Sequence, residues 1–130
     1  MRAVPFAILF LLAVAPAWAQ SVSDENEWSP PTMDCSVGPI TKTYGSQSWL
    51  VFGCADGKSI EIVSTQDSPA SPAYFMFEYG ADGYGLRGQG MGDRAATDAA
   101  HAELRAFKDV DAMALNEEVR KAGQPAGQPE

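Results

Sequence analysis

The hydrophobic pattern of this chain centres on one unbroken apolar run at residues 49–54 (WLVFGC). The run is rich in aromatic and β-branched residues, and turn-forming residues flank it at 45–46 (GS) and 55–57 (ADG). A short apolar run between turn signals is typical of a strand buried on both faces. The alternating residues 58–63 (KSIEIV) predict its partner, and a three-residue loop that ends in glycine predicts a hairpin, because the last loop residue needs positive φ.

A three-residue loop fixes which residues of the two strands face each other. It places Phe52 opposite Ile60, and it places Val51 opposite Glu61. In that register Leu50, Phe52 and the two isoleucines of the second strand share one face of the sheet.

Further strands are predicted on either side of this hairpin. Residues 40–44 form a short first strand, and a polar loop with two prolines follows at residues 64–72. Residues 74–79 (YFMFEY) and 84–87 (YGLR) then read as a second hairpin, with Asp-Gly at 82–83 as the favoured pair for a tight turn. That turn brings Glu78 opposite Arg87 as a cross-strand ion pair.

Two helices are predicted after the strands. Asp93 is a suitable N-cap for the first, and a second, shorter helix spans residues 112–122. Apolar residues recur at helical spacing through the first helix, at Ala96, Ala99, Ala100, Leu104 and Phe107. Strands followed by helices indicate an α+β fold: an antiparallel β-meander of four to five strands with the C-terminal helices packed on one face.

The charged residues of the strands predict which face the helices cover. The face with Glu61, Glu78 and Arg87 is costly to bury. We therefore expect Leu104 and Phe107 to contact Phe52 or Ile62 on the other side. The face left open becomes a candidate interaction face, because aromatic residues and methionine are enriched at interfaces. The alternative is that the segment around Trp28 covers it. The residues of this predicted face are Trp49, Val51, Val63, Tyr74 and Met76.

The ends of the chain differ in composition from its centre. Residues 1–19 show a basic start, an apolar stretch and an Ala-x-Ala site, which predicts a cleaved signal peptide and export to the periplasm or beyond. The alternative is a membrane anchor, but residues 4–19 are shorter than the roughly 20 residues that a bilayer requires. We expect a flexible arm at 20–34, one domain at 35–122 and a disordered tail at 123–130.

The only two cysteines, Cys35 and Cys54, lie in the exported part. In an oxidising compartment such a pair predicts a disulfide, and closing a loop of this size contributes about 3 kcal/mol. Two distant thiols and one remote histidine do not form a zinc site, so no metal is expected.

The formal net charge of −8 limits the possible partners. It disfavours nucleic acid and anionic membranes, and it is compatible with a basic protein partner or with solubility alone.

No pattern in the chain predicts catalysis or a cofactor. Residues 83–88 (GYGLRG) match GxGxxG but alternate as a strand does, whereas a dinucleotide site needs the motif to open a helix. Residues 88–92 form a second glycine-rich stretch, whose alternative role is an anion-binding loop. His101 falls on the polar side of the predicted helix, without an oriented partner for general-base chemistry. No serine-hydrolase motif is present.

One short stretch, residues 51–59 (VFGCADGKS), resembles the cysteine hairpin of periplasmic C-type lysozyme inhibitors. The resemblance implies an inhibitor of a basic enzyme. It covers under a tenth of the chain, and the Ser/Gly-rich inhibitory motif of that family, as well as its all-β barrel, has no counterpart here.

Together these patterns predict a small, exported, non-enzymatic protein whose open sheet face is a candidate binding surface. The alternatives are a periplasmic inhibitor of a basic enzyme such as lysozyme, and an unrecognised hydrolase.

Overall fold

The computed structural model describes residues 33–123. They form a five-stranded antiparallel meander with strand order β1-β2-β3-β4-β5, followed by two helices. The predicted α+β fold is therefore confirmed. The predicted signal peptide, most of the predicted arm and nearly all of the predicted tail lie outside the described residues. The elements are β1 (Val37–Tyr44), β2 (Gln47–Gly53), β3 (Ile60–Ser64), β4 (Ala73–Gly80), β5 (Gly83–Gly90), α1 (Arg94–Arg105) and α2 (Asp109–Ala122).

A tight turn between β1 and β2 sets how closely α1 approaches the sheet. Gly45 and Ser46 both have positive φ, at 58° and 67°. A Cβ on Gly45 would lie 2.5 Å from the backbone nitrogen of Ala100 and 2.8 Å from the Cβ of Ala99. Only glycine in the turn and alanines on the helix allow this contact, which explains the small residues in the first half of α1.

The loop between β2 and β3 is one residue longer than predicted, so the predicted register was wrong. Gly53 pairs with Ile60, and Phe52, not Val51, lies opposite Glu61. The cause is Asp56, whose carboxylate accepts hydrogen bonds from the backbone N–H groups of Lys58 (2.9 Å) and Ser59 (2.7 Å) and extends the turn. A shift of one residue moves every side chain of one strand to the opposite face relative to its partner.

This shift puts Trp49 and Val51 in the core beneath the helices. Both are fully buried, and they belong to one cluster with Ile62, Leu104 and Val119. The prediction that Trp49 and Val51 lie on the uncovered face was therefore wrong, as was the prediction that Phe52 lies under the helices. The indole N–H of Trp49 donates to the carbonyl of Tyr44 at 3.1 Å, so its one polar group is satisfied inside the core.

We call the sheet face opposite the helices the outer face; it carries Leu50, Phe52, Glu61, Val63, Tyr74 and Met76. Tyr74 and Met76 are buried there, at 4% and 0% exposure. Met33, Cys35 and Val63 pack against them. The open face expected from the sequence is thus not open at its centre, because the chain just before β1 folds onto it.

The β4–β5 hairpin keeps the predicted faces but turns earlier than predicted. Gly80 pairs with Gly83, so the loop is Ala81-Asp82 instead of Asp82-Gly83. The slip is by two residues, which preserves the face of each side chain, and Phe77 lies opposite Leu86. Glu78 and Arg87 are no longer directly opposite, yet their side chains form an ion pair at 3.1 Å.

The helices begin with side-chain caps. Asp93 accepts a hydrogen bond from the N–H of Ala95, which confirms the predicted N-cap of α1. The second helix begins at Asp109, earlier than predicted, and Asp111 accepts from the N–H of Lys108 at 2.8 Å. Phe107, between the helices, stacks on Phe77 with ring centroids 5.3 Å apart.

A disulfide joins Cys35 to Cys54, as predicted. It links the segment before β1 to the loop after β2. Neither helix among residues 33–123 has the length and apolar content needed to cross a membrane.

Candidate functional site

A groove of about 850 Å³ lies where both helices meet the first strand. We call it the acidic groove. The end of β1 forms one wall, and the facing sides of α1 and α2 form the others. Its lining residues are Lys42, Thr43, Tyr44, Ala102, Glu103, Ala106, Phe107, Asp111, Ala114, Leu115 and Glu118.

The floor of the acidic groove is apolar and aromatic. Tyr44 and Phe107 meet edge to face, with ring centroids 6.2 Å apart. Leu115 is buried beside them at 5% exposure, and alanines line the helix walls. A floor of this kind accepts the aliphatic or aromatic part of a ligand without leaving polar groups unsatisfied.

The rim of the acidic groove carries three carboxylates and one amine. Glu103 projects from α1, Asp111 and Glu118 project from α2, and Lys42 projects from β1. Lys42 Nζ lies 3.0 Å from a carboxylate oxygen of Glu118. The rim therefore has an excess of two negative charges even when this ion pair is formed.

Backbone contacts hold two of the rim carboxylates in place. Glu103 accepts the N–H of Gly45, and Asp111 accepts the N–H of Lys108. A carboxylate has about four lone-pair sites, so each keeps acceptor capacity for a ligand. The negative rim is thus positioned by the fold before any ligand arrives.

The electrostatic field of the groove acts on Tyr44. Burial raises the pKa of Tyr44 to about 12, and the nearby carboxylates of Glu118 and Glu103 add to the effect by opposing a second negative charge. The neutral phenol is therefore favoured in the folded state. Its contribution to stability is full below the ordinary pKa of 10.0 and is lost as pH rises through about 12.

We expect the tyrosinate absorbance of the folded protein to show a late step near pH 12 that is missing in Tyr44→Phe. Glu118→Gln should move that step to lower pH, because one of the opposing charges is removed. The neighbouring Glu117→Gln, outside the groove, is the matched control. If the Tyr44 step stays at the same pH in Glu118→Gln, the Glu118 carboxylate does not contribute to the raised pKa of Tyr44.

The structure shows what surrounds His101 and Ser59. The ring of His101 stacks on Phe75, with centroids 5.6 Å apart. The hydroxyl of Ser59 is fully buried, where it donates to Asp56 at 2.6 Å and accepts from the N–H of Tyr79 at 2.9 Å. These contacts stabilise the β2–β3 turn. Burial acts to raise the pKa of Asp56, but the hydrogen bonds it accepts outweigh this and lower the pKa.

The glycine-rich segments form strand β5 and its connection to α1. The GxGxxG match at residues 83–88 lies within β5, as the alternation predicts. Further along, the N–H of Met91 donates to Pro72 at 2.9 Å, and that of Asp93 donates to Pro69 at 2.8 Å. These two amides are therefore hydrogen-bonded within the chain, while residues 88–90 belong to β5. Within residues 33–123 no group of three or more His, Cys, Asp or Glu side chains is arranged to hold a metal.

Sequence reasoning missed the acidic groove because its residues come from three separate elements. The available signal was the acidic residue content of the helices beside Tyr44, but only the packing of α1 and α2 against β1 shows that these charges converge. Comparison with protein-family models found no matching family, and comparisons with curated proteins and with solved structures found no match.

Proposed function

We propose that this protein is a small, exported, non-enzymatic binding module whose acidic groove holds a basic segment of a partner protein. The observation that carries the proposal is the pairing of an apolar floor with a rim of three carboxylates and one lysine. This replaces the sheet face that the sequence suggested, since the residues at the centre of that face are buried.

Lysine and arginine side chains fit the chemistry of the groove. Each has a long aliphatic stem and a charged head, so the stem can pack on Phe107 and Leu115 while the head reaches the rim carboxylates. The net charge of −8 also attracts a basic partner over a longer range and repels an acidic one.

The predicted location agrees with this role. Residues 1–19 carry the signal-peptide pattern, and the Cys35–Cys54 disulfide is a bond that persists in oxidising compartments. A binding module working outside the cytoplasm would meet basic secreted or periplasmic proteins.

Isothermal titration calorimetry with a synthetic peptide that alternates leucine and lysine tests the groove. Glu118→Lys should weaken binding about tenfold, because it removes an attraction and adds a repulsion, each worth up to about 1 kcal/mol. The control is Glu117→Lys, which makes the same charge change one residue away, outside the groove lining. If both variants weaken peptide binding equally, the effect comes from net charge alone, which contradicts binding in the acidic groove.

A second pair of variants tests occupancy instead of charge. Ala114→Arg fills the groove and places a guanidinium beside its rim, whereas Met113→Arg adds the same group on the neighbouring exposed position outside the lining. We expect Ala114→Arg to abolish peptide binding and Met113→Arg to reduce it only slightly. Binding that survives Ala114→Arg would place the peptide elsewhere.

Inhibition of a basic enzyme is the second candidate function, favoured by the excess negative charge of the rim. A C-type lysozyme is the probe, and cytochrome c, which is also basic but has no cell-wall activity, is the binding control. Loss of lysozyme activity at a one-to-one ratio, relieved by Ala114→Arg, would establish inhibition. Equal binding of both proteins with full lysozyme activity would leave a general module for basic proteins.

A further inference from the structure

The two edge strands of the sheet are protected to very different degrees. Strand β1 has an irregular register between Val37 and Ile40 and contains Pro39. Both helices contact both edge strands, but α2 packs more extensively on β1 than on β5. Prolines, bulges and covering helices are the usual ways of preventing strand addition. Strand β5 is eight residues long, contains no proline and lies at the end of the strand order.

The outward backbone groups of β5 can be identified from one contact. The N–H of Tyr84 donates to the carboxylate of Asp109 at 3.3 Å, so it points away from β4. Backbone direction alternates along a strand, so the N–H and C=O groups of Leu86, Gly88 and Gly90 also point outward. Within residues 33–123 no further strand lies on that side.

The composition of β5 leaves this edge accessible. Glycine in a strand often marks close approach of another backbone. The chain's own packing accounts for Gly88, where a Cβ would lie 2.4 Å from the ring of Phe75, but not for Gly85, where a Cβ would meet nothing within 4 Å. The only charged residue of the strand, Arg87, is turned back to Glu78, and the one carboxylate that contacts the edge, that of Asp109, does so at Tyr84, next to the turn.

A second groove lies beside the glycine end of this edge, on the side of the helices. It has a volume of about 410 Å³ and runs between β5 and the start of α1. Gly88 and Gly90 line its base, and its helix side is lined by Arg94, Thr97, Asp98 and His101. Because the glycines lack side chains, the space above them is available to a side chain from an added strand.

We propose that β5 pairs antiparallel with β5 of a second copy of this chain, about a two-fold axis at Gly88. The outward backbone groups of Leu86, Gly88 and Gly90 then face those of Gly90, Gly88 and Leu86 in the other copy, which gives about six main-chain hydrogen bonds. In this register Leu86 of each copy lies opposite Gly90 of the other. Its side chain packs partly on the core of its own chain, and the part left exposed faces the partner's groove above the glycines. A large residue facing a small one makes the strand complementary to itself. The two meanders join into one continuous sheet with all helices on the same side.

Sedimentation equilibrium of the purified, oxidised protein over a concentration series tests the pairing. We expect the mass to rise from that of one chain to that of two. Gly90→Pro should raise the dissociation constant at least about tenfold, because it removes an outward N–H in each copy and places a ring against the partner strand. Gly90→Ala is the matched control: it adds the same Cβ, 3.0 Å from the Cβ of Ala73, but keeps the N–H.

Residue-resolved hydrogen exchange identifies the surface without any substitution. The amides of Leu86, Gly88 and Gly90 should exchange at least about tenfold more slowly at the concentration where the dimer forms than at high dilution. The amide of Gly85, which faces β4, should be protected at both concentrations. A mass of one chain at every concentration overturns the proposal. So does a dimer in which these three amides stay unprotected, or one that Gly90→Pro and Gly90→Ala weaken equally. If the amides of Leu86, Gly88 and Gly90 are equally protected at every dilution, another part of the same chain covers the edge, and this outcome also overturns the proposal.

Discussion

Replacing Trp49 with alanine is expected to lower the free energy of unfolding by about 3–5 kcal/mol, the range for truncating a buried aromatic residue. Trp49 is fully buried, packs on Phe75 with ring centroids 5.4 Å apart, and donates its indole N–H to Tyr44. The variant loses this packing, leaves a cavity under the helices and leaves the Tyr44 carbonyl without its donor. Urea unfolding followed by circular dichroism measures the change.

Leu50→Ala is the matched control for Trp49→Ala, because the two residues are neighbours on opposite faces of β2. Leu50 is only partly buried on the outer face, so we expect a loss well below that of Trp49, about 1 kcal/mol. The register first predicted from the sequence gives the opposite order, with Leu50 in the core and Trp49 outside. A larger loss for Leu50→Ala would therefore contradict the register of β2.

Removing the disulfide is expected to lower the free energy of unfolding by about 3 kcal/mol, from the chain entropy regained by the unfolded state. Cys54 is fully buried, and its carbonyl accepts a hydrogen bond from the guanidinium of Arg120 at 2.5 Å. The bond therefore joins the segment before β1 to a loop that α2 also contacts. The test is urea unfolding of the double variant Cys35→Ala, Cys54→Ala, compared with the oxidised protein.

Reduction of the natural protein separates the bond from the packing of its sulfur atoms. A thiol reductant should lower the stability of the natural protein by a similar amount and leave the double variant unchanged. Equal unfolding midpoints of the oxidised and reduced natural protein would show that the bond does not constrain the chain.

The sequence predicted those features that depend on local chemistry. The alternating strands, the Asp93 cap and the cysteine pair each follow from neighbouring residues or from redox compartment, and the structure confirms them. The register of the β2–β3 hairpin failed because it depends on one loop residue. The carboxylate of Asp56 stabilises a four-residue loop, whereas the glycine pattern predicted a three-residue loop. Because of this one extra loop residue, Trp49 lies in the core and not on the uncovered face that the sequence predicted.

The β4–β5 hairpin shows why some register errors do no harm. Its turn also differs from the prediction, but by two residues, so each side chain keeps its face.

The acidic groove could not be predicted from the sequence, whichever register the hairpins have. Tyr44, Glu103 and Glu118 lie far apart in the chain. They converge because of the way α1 and α2 lie across β1, and the periodicity of each helix does not predict that orientation.

Chemical-shift mapping of the ¹⁵N-labelled protein with the leucine–lysine peptide tests the acidic groove most directly, because it reports the place of binding residue by residue. If the groove holds basic segments, the amides that shift cluster at residues 42–44, 102–107 and 111–118, and the same peptide with glutamate in place of lysine causes no shifts. Shifts confined to the outer face or to β5, or equal shifts with both peptides, would contradict the proposed function.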